Sequence, residues 1–524
     1  MVTTLWRFRY MQLSYQKKGN YTYAKVPGES YRENGHVKKR NTIYLGRVID
    51  MEHNVFYNKE RGIFTFDIST GTYGEADPSY QGNLKNDRRK KPNLILDFGD
   101  SYFVDSLIKT MHYDEVLSSI DYKNKDTLWA MVEYYILSSK ANMHANTWFE
   151  GSFANVLYPE ADIHSQRISK LLDALGTEAV RRSYFKAHIK WLKKYVCNDP
   201  AIIVDSTGLP NAIKINMTQT SSHNGKINNE ARMITAIQRD SGYPIMFRAV
   251  PGNIVDVSTL ATTITTLAEY DVATDLAMLD AGYVSKENLS KLFSAGIEFI
   301  ARLPEKNHAI YDSVLSKGLK TLKQPENLVE FNGRYVYAKQ VECKIGNHMA
   351  YAYLCFDVDA SSDENHKAIK RSRKKKVSDS EMHQVFETSG LFVIISSLPY
   401  QTEEILTVYY TRQLVEQYFD VSKGISRLTP LRVHTEQRVL GHMLLSQIAA
   451  TVNLYIQQKM HSAYEDSEEM FMGLRNQKCI VYASRIVTNE GQSEATKYYD
   501  KFKIKYPVSF DTIGSTMRPI YDMG

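Results

Sequence analysis

Cysteine is scarce in this chain of 524 residues: Cys197, Cys343, Cys355 and Cys479 are all there are, and none sits in a CxxC pair. That argues against a disulfide framework and against a structural zinc site. The 14 histidines show neither an HExxH nor any paired spacing. No apolar run approaches the roughly 18 residues that a membrane span needs. The first twelve residues mix Arg7 and Arg9 with aromatics and lack the apolar core of a signal peptide. The expected location is therefore the cytoplasm, with no membrane partner. Charge of one sign is also in short supply. Lys plus Arg number 65 against 59 Asp plus Glu, so the net charge is only +6, and its distribution says more than its sum.

The cations are grouped. Lys38, Lys39 and Arg40 form one cluster, and Arg88, Arg89, Lys90 and Lys91 a second. Lys367, Lys370, Arg371, Arg373, Lys374, Lys375 and Lys376 form a third. Any one of them reads as a solvated surface. Three of them beside 36 tyrosines point to a polyanion partner.

Six regions are read along the chain. Residues 1–95 are β-rich, with short aromatic segments such as 21–25 and 42–46 between Gly, Asn and charge. Residues 96–200 are helical, with apolar positions recurring at three and four over 104–120, 128–137 and 168–192. Ser165 is placed to cap a helix that turns Arg167 outward and Ile168, Leu171 and Leu172 inward. That helix reads equally as the second of a helix-turn-helix or as one more amphipathic helix of a bundle. Residues 201–303 alternate strands and helices. Residues 304–389 form a β-rich insertion that ends in the third basic cluster. Residues 390–445 supply a last strand and a long helix from Glu403 to Ser422. Residues 446–524 are mixed, with one apolar helix over 443–455 and a possible role in dimerisation. The order is three strands, helix, strand, helix, strand, then a distant strand and helix. That is an α/β chain resembling a ribonuclease-H-like core with an insertion before its last helix.

Two acids, Asp205 and Asp280, close separate apolar strands, each followed by small residues. Open α/β sheets build their sites beyond such strand ends. The helix from Glu403 carries Tyr409, Arg412, Glu416 and Lys423. At about 100° per residue these four fall within an arc of about 60° on a continuous helix, with Val408, Val415 and Phe419 beside them as a core stripe. An acid flanked by cations and a phenol, joined to two strand-end acids, suits phosphodiester cleavage by two divalent ions. Mg²⁺ takes hard oxygen ligands of this kind, and the cations would offset the charge of approaching phosphates.

At this point the sequence resembles insertion-sequence transposases of the IS4 superfamily, closest to the IS1634-like group. The match is carried by 204–208, 251–256, 279–283, the Tyr409/Arg412/Glu416/Lys423 signature and 432–442. The resemblance implies a DDE triad of Asp205, Asp280 and Glu416 holding two Mg²⁺ ions, with Mn²⁺ as a substitute. It implies cutting at terminal inverted repeats of double-stranded DNA and strand transfer of the 3′-OH into target DNA, in relatives by way of a hairpin. Tyr409, Arg412 and Lys423 would contact end phosphates. Arg167, Lys374 and Lys375 are further DNA-contact candidates. A homodimer in a bacterial cytoplasm, nucleoid-associated when DNA-bound, is the implied assembly. Model relatives stack a flipped base on a Trp in the insertion. Here all four Trp precede it, and Tyr335, Tyr337 and Phe331 are the aromatic faces available. The segment 251–256 reads as a turn into a helix, and His442 as a core residue. Two other readings remain: a nuclease of the same core without strand transfer, and an inactive DNA-binding relative.

Overall fold

The computed structural model describes residues 12–19, 21–33, 36–58, 61–77, 80, 94–221, 227–305, 309–373, 378–460, 467–482, 485–513 and 516–521. Lys374 and Lys375 lie outside the described residues, as does the 88–91 cluster. The chain divides into two compact units. One comprises 1–94 with 480–487 and 510–518; the other comprises 95–479 with 488–509 and 519–524.

The smaller unit holds a six-stranded antiparallel sheet ordered along the chain as 14–18, 21–26, 43–50, 55–58, 62–67 and 72–75. Strand alternation turns Ala24, Val26, Leu45, Phe56, Phe64 and Phe66 into one cluster.

The larger unit is built on a ten-stranded mixed sheet. Its first strands are β1 (Ala201–Pro210), β2 (Asn228–Gln238), β3 (Pro244–Pro251), β4 (Leu276–Leu279) and β5 (Glu298–Arg302). β2 pairs antiparallel with both β1 and β3, while β1, β4 and β5 run parallel, giving the order 3-2-1-4-5. The central parallel strand β4 is short and wholly apolar: Leu276–Leu279 is buried throughout, as expected of a strand covered on both faces. Helix α4 (Leu260–Glu269) links β3 to β4, and α5 (Lys286–Ala295) links β4 to β5. Ser285 caps α5 by accepting from the Asn288 amide at 3.1 Å. Gly296 ends it in the left-handed conformation, φ 68°, which glycine adopts without steric cost.

The region 304–389 extends this sheet rather than standing apart from it. Strands β6 (Leu328–Phe331), β7 (Arg334–Ile345), β8 (His348–Asp357) and β9 (Leu391–Ser396) continue from β5 in the order 9-8-7-6. Between β8 and β9 lie α7 (Val358–Ser372) and α8 (Asp379–Thr388), and α6 (Ala309–Leu322) packs on β7 and β8.

The helical part contains α1 (Lys125–Leu137), α2 (Ser165–Leu175) and α3 (Glu178–Trp191). The periodic stretch 168–192 is thus two helices, because Gly176 and Thr177 interrupt it. His164 occupies the cap position, and Ser165 is the first helical residue rather than the cap. The helix read over 443–455 extends to Glu436–Met460 (α11) and is long and apolar enough to cross a membrane. About nine tenths of its apolar window is buried inside the fold, the character of a central core helix.

Burial on α1 has a measurable cost. Glu133 is 1% exposed, and among the described residues neither carboxylate oxygen meets a partner at full hydrogen-bond geometry, though Ser101 and Tyr158 lie near enough to oppose part of the burial effect. Burial pushes its carboxyl well above the usual range, and the charges of Asp105 and Asp100 push the same way. A carboxyl raised in the folded state binds more protons than it does unfolded. Its contribution is therefore intact below the unfolded pKa and is lost as pH rises through the folded one. Glu133→Gln is expected to melt above the wild type at pH 8, with the advantage vanishing near pH 4. An unchanged difference across that range would mean the group is not protonated in the fold.

Candidate active site

The sheet register brings the two strand acids together. Parallel pairing of β1 with β4 runs from Ala201 opposite Leu276 to Val204 opposite Leu279. Asp205 and Asp280 are the next residue of each strand. β1 does not end at Asp205, as the apolar run had led us to expect. It continues to Pro210 because residues 206–210 stay paired with β2. β4 does end, and Asp280 begins a tight turn over 281–283.

The third element differs from the continuous helix expected over 403–422. It is two helices, α9 (Thr402–Tyr410) and α10 (Gln413–Lys423). At the joint the amides of Thr411, Arg412, Leu414 and Val415 bond three residues back instead of four. The common arc computed for an unbroken helix therefore does not hold. Tyr409 joins the buried stripe with Ile405 and Leu406, its ring edge-on to Tyr410 at 5.9 Å. Val408 is only half-buried, whereas Val415 and Phe419 are buried.

The break aims Arg412 at the strand ends. Its Nη1 donates to Asp205 Oδ2 at 2.7 Å, and its Nη2 donates to Glu416 Oε1 at 3.0 Å. Nη2 also lies 3.8 Å from Asp280 Oδ1. One guanidinium thus touches all three acids singled out from the sequence, across 207 positions of chain. Lys423, at the far end of α10, donates to Thr207 Oγ1, two residues beyond Asp205.

The electrostatics follow from burial. Burial pushes the Asp205 carboxyl up; Arg412 opposes this, and the charges of Asp280 and Asp256 reinforce it, leaving the group at about 7. Burial lowers the Lys423 ammonium. One Arg against three acids leaves negative charge in excess, which suits a divalent cation, and all the donors are hard oxygens. Among the described residues no three acid, His or Cys side chains are ready-spaced around a common ion. An ion would have to take the oxygens that Arg412 holds.

Two further acids escaped the sequence reading. Asp256 accepts from Ser206 Oγ at 2.6 Å and from Arg232 Nη1 at 2.9 Å, so the segment read as a turn also carries a carboxylate to the flank of Asp205. A Cβ on Gly282 would meet Asp256 Oδ2 at 3.1 Å, which is why a glycine follows Asp280 so closely. Glu230, 5% exposed, lies opposite Pro210 in the register. A Cβ on Gly208 would sit 2.3 Å from its Oε2. The small residues after each strand acid were visible in the sequence, but the acids they make room for come from elsewhere, Glu230 from β2 and Asp256 from the turn after β3.

The other candidates lie apart. Arg167 is exposed on α2 and pairs with Asp162 at 3.1 Å. Lys367, Lys370, Arg371 and Arg373 are exposed on and just after α7. Of the three insertion aromatics, Tyr335 is 55% exposed. Phe331 is buried and packed on Tyr410 at 4.8 Å, and Tyr337 lies against Phe356.

A mixed α/β unit with acids gathered at the ends of parallel strands is the class that the fold and site define. Residues 197–452, which contain every residue of this cluster, match the family described as a transposase DDE domain. The match supports a DNA transposase. Comparison with curated proteins gives no match. Among solved structures the chain is similar to a piggyBac transposase, in a cryo-EM structure of its synaptic complex with hairpin DNA. Identity is 11%, coverage is 71% of this chain and 78% of that one, and the TM-score is 0.39.

Removing the shared cation should leave the acids facing one another. Arg412→Gln is expected to cost about 3 kcal/mol in metal-free denaturant titration, the scale for breaking a buried ion pair. Mn²⁺ should raise its melting temperature more than it raises that of the wild type. Equal shifts in the two proteins would show that Arg412 does not compete for the carboxylates.

Proposed function

We propose that the chain is a DDE transposase with a ribonuclease-H-like core. In this reading it cuts DNA at the ends of a mobile element of the IS4 type and joins the freed 3′-OH to target DNA. The observation that carries the reading is the convergence of Asp205, Asp280 and Glu416 on Arg412. The strand order 3-2-1-4-5 supports the core assignment. DDE transposases generally use divalent metals, and the oxygen-only donor set fits Mg²⁺ or Mn²⁺ held by the three carboxylates. Bound there, a pair of ions would supply an activated attacking oxygen and stabilise the leaving one.

The protein's own groups do the rest. Arg412, displaced from the carboxylates, is free to take a phosphate with its planar fork. Lys423 adds a point charge beside Thr207. Tyr409, buried with Ile405 and Leu406, lies three residues before Arg412 at the end of α9. Tyr335 offers a face for an extruded base, as a hairpin route requires. Arg167 on α2 and the exposed cations of α7, continuing through Lys374 and Lys375, contribute end recognition and sequence-independent phosphate contacts. A homodimer would hold the two ends.

The test is cleavage of DNA carrying the element's terminal repeats in Mg²⁺. Asp205→Ala, Asp280→Ala and Glu416→Ala should each abolish cutting and leave DNA binding intact, and full cutting by Glu416→Ala would refute the assignment. Products that are cut but never joined to target DNA would favour the nuclease reading. Arg167→Ala is expected to weaken end binding several-fold, and unchanged affinity would place end recognition elsewhere.

A further inference from the structure

A second cationic site lies just beyond the catalytic helix, in the 427–442 stretch that the active site leaves unused. A cavity of about 350 Å³ opens between α2, residues 139–143 and this stretch. Arg427, Arg432, His434 and Arg438 line it, and no Asp or Glu does.

The three arginines differ in what holds them. Arg438 is satisfied: its Nε and Nη2 grip both oxygens of Asp173 at 2.9 Å. Arg427 is 7% exposed and lies over the rings of Tyr134 and Tyr135, at 4.9 and 4.6 Å. Its Nη1 has no hydrogen-bond partner, and no carboxylate is paired with it among the described residues. A buried guanidinium with an unmet donor is costly unless an acceptor arrives. Arg432 is exposed and likewise forms no ion pair among the described residues.

The backbone holds both arginines in an unusual way. Arg427 has φ 62° and Arg432 φ 47°, a left-handed conformation that side-chain-bearing residues rarely adopt. Two such residues on one short loop mark a segment whose shape is set by something other than local preference. His442 anchors the floor: Tyr135 Oη lies 2.8 Å from its Nδ1, and Leu428 O lies 3.3 Å from its Nε2. Burial first, with the Arg427 charge, brings its pKa down to about 4, so this histidine adds no positive charge to the floor.

We propose that this cavity is a phosphate subsite, in which Arg427 and Arg432 take the oxygens of one backbone phosphodiester of bound DNA. It rests on the reading of the chain as a DNA-cleaving enzyme, and it adds a contact outside the three-acid centre. Arginine forks match phosphate geometry, and Arg427 is stiffened in advance by its two tyrosines. Because such a contact is made to the backbone, it positions DNA without reading sequence.

The test uses the full-length protein and a random-sequence DNA duplex, with affinity measured across a range of KCl concentrations. Arg432→Gln is expected to lower the slope of log affinity against log salt by about one and to weaken binding for every sequence alike. Arg432→Lys, which keeps the charge, should restore the slope. Because Arg432 is exposed, thermal melting of the variant should match the wild type. A slope unchanged in Arg432→Gln, with the wild type binding DNA normally, would overturn the subsite and leave the catalytic reading standing. A lowered slope in a protein that never cuts DNA would do the reverse. Tight inorganic phosphate binding lost in Arg432→Gln, with DNA affinity unmoved, would mark a free-anion site and also overturn the proposal.

Discussion

Three carboxylates held by one guanidinium are the constraint around which the larger unit is arranged. Asp205 is the buried member of the three, burial disfavours its charge, and Arg412 is the cation that opposes this. Its position depends on a tight turn between α9 and α10, on a parallel pair that ends at Val204 and Leu279, and on a strand that continues past Asp205 to hold Ser206 and Thr207. Moving either strand by one residue would turn its carboxylate to the other face of the sheet. The Asp205 carboxyl is raised first by its burial and then by the charges of Asp280 and Asp256.

Around this centre the fold places its cations in tiers. Arg412 touches the acids directly. Lys423 stands one step away on Thr207. Arg427 and Arg432 follow on the loop beyond, above a floor of Tyr134, Tyr135 and His442. This succession from α10 into the 427–442 stretch gives a route along which a polyanionic strand could be held while one of its phosphates lies at the carboxylates. The same stretch then enters α11, whose burial makes it the pillar of the helical part. Helix α10, the 427–435 loop and the core helix α11 thus form one continuous run of chain.

Part of the centre was legible in the sequence because its two aspartates follow apolar runs that form parallel strands. Asp205 and Asp280 each follow an apolar run, the mark of a strand covered on both faces, and the spacing from Tyr409 to Lys423 announced a functional segment. The break at Thr411 was not legible, since every residue there tolerates a helix and the partners met at the joint, Asp205 for Arg412 and Met278 for Thr411, lie far away in the chain. Asp256 and Glu230 were missed because they reach the site by cross-strand pairing and tertiary approach. Gly208 and Gly282 were the available hints, for each stands where a side chain would strike one of those carboxylates. The insertion was legible as strands but not as part of the central sheet, because its junction runs through β9, far along the chain.

The most direct test of the central claim is anomalous scattering from crystals equilibrated with Mn²⁺. The account predicts manganese in contact with Asp205, Asp280 and Glu416, with Arg412 withdrawn from Asp205. Crystals at saturating manganese that show no ion among these carboxylates, with the Arg412–Asp205 pair intact, would contradict it.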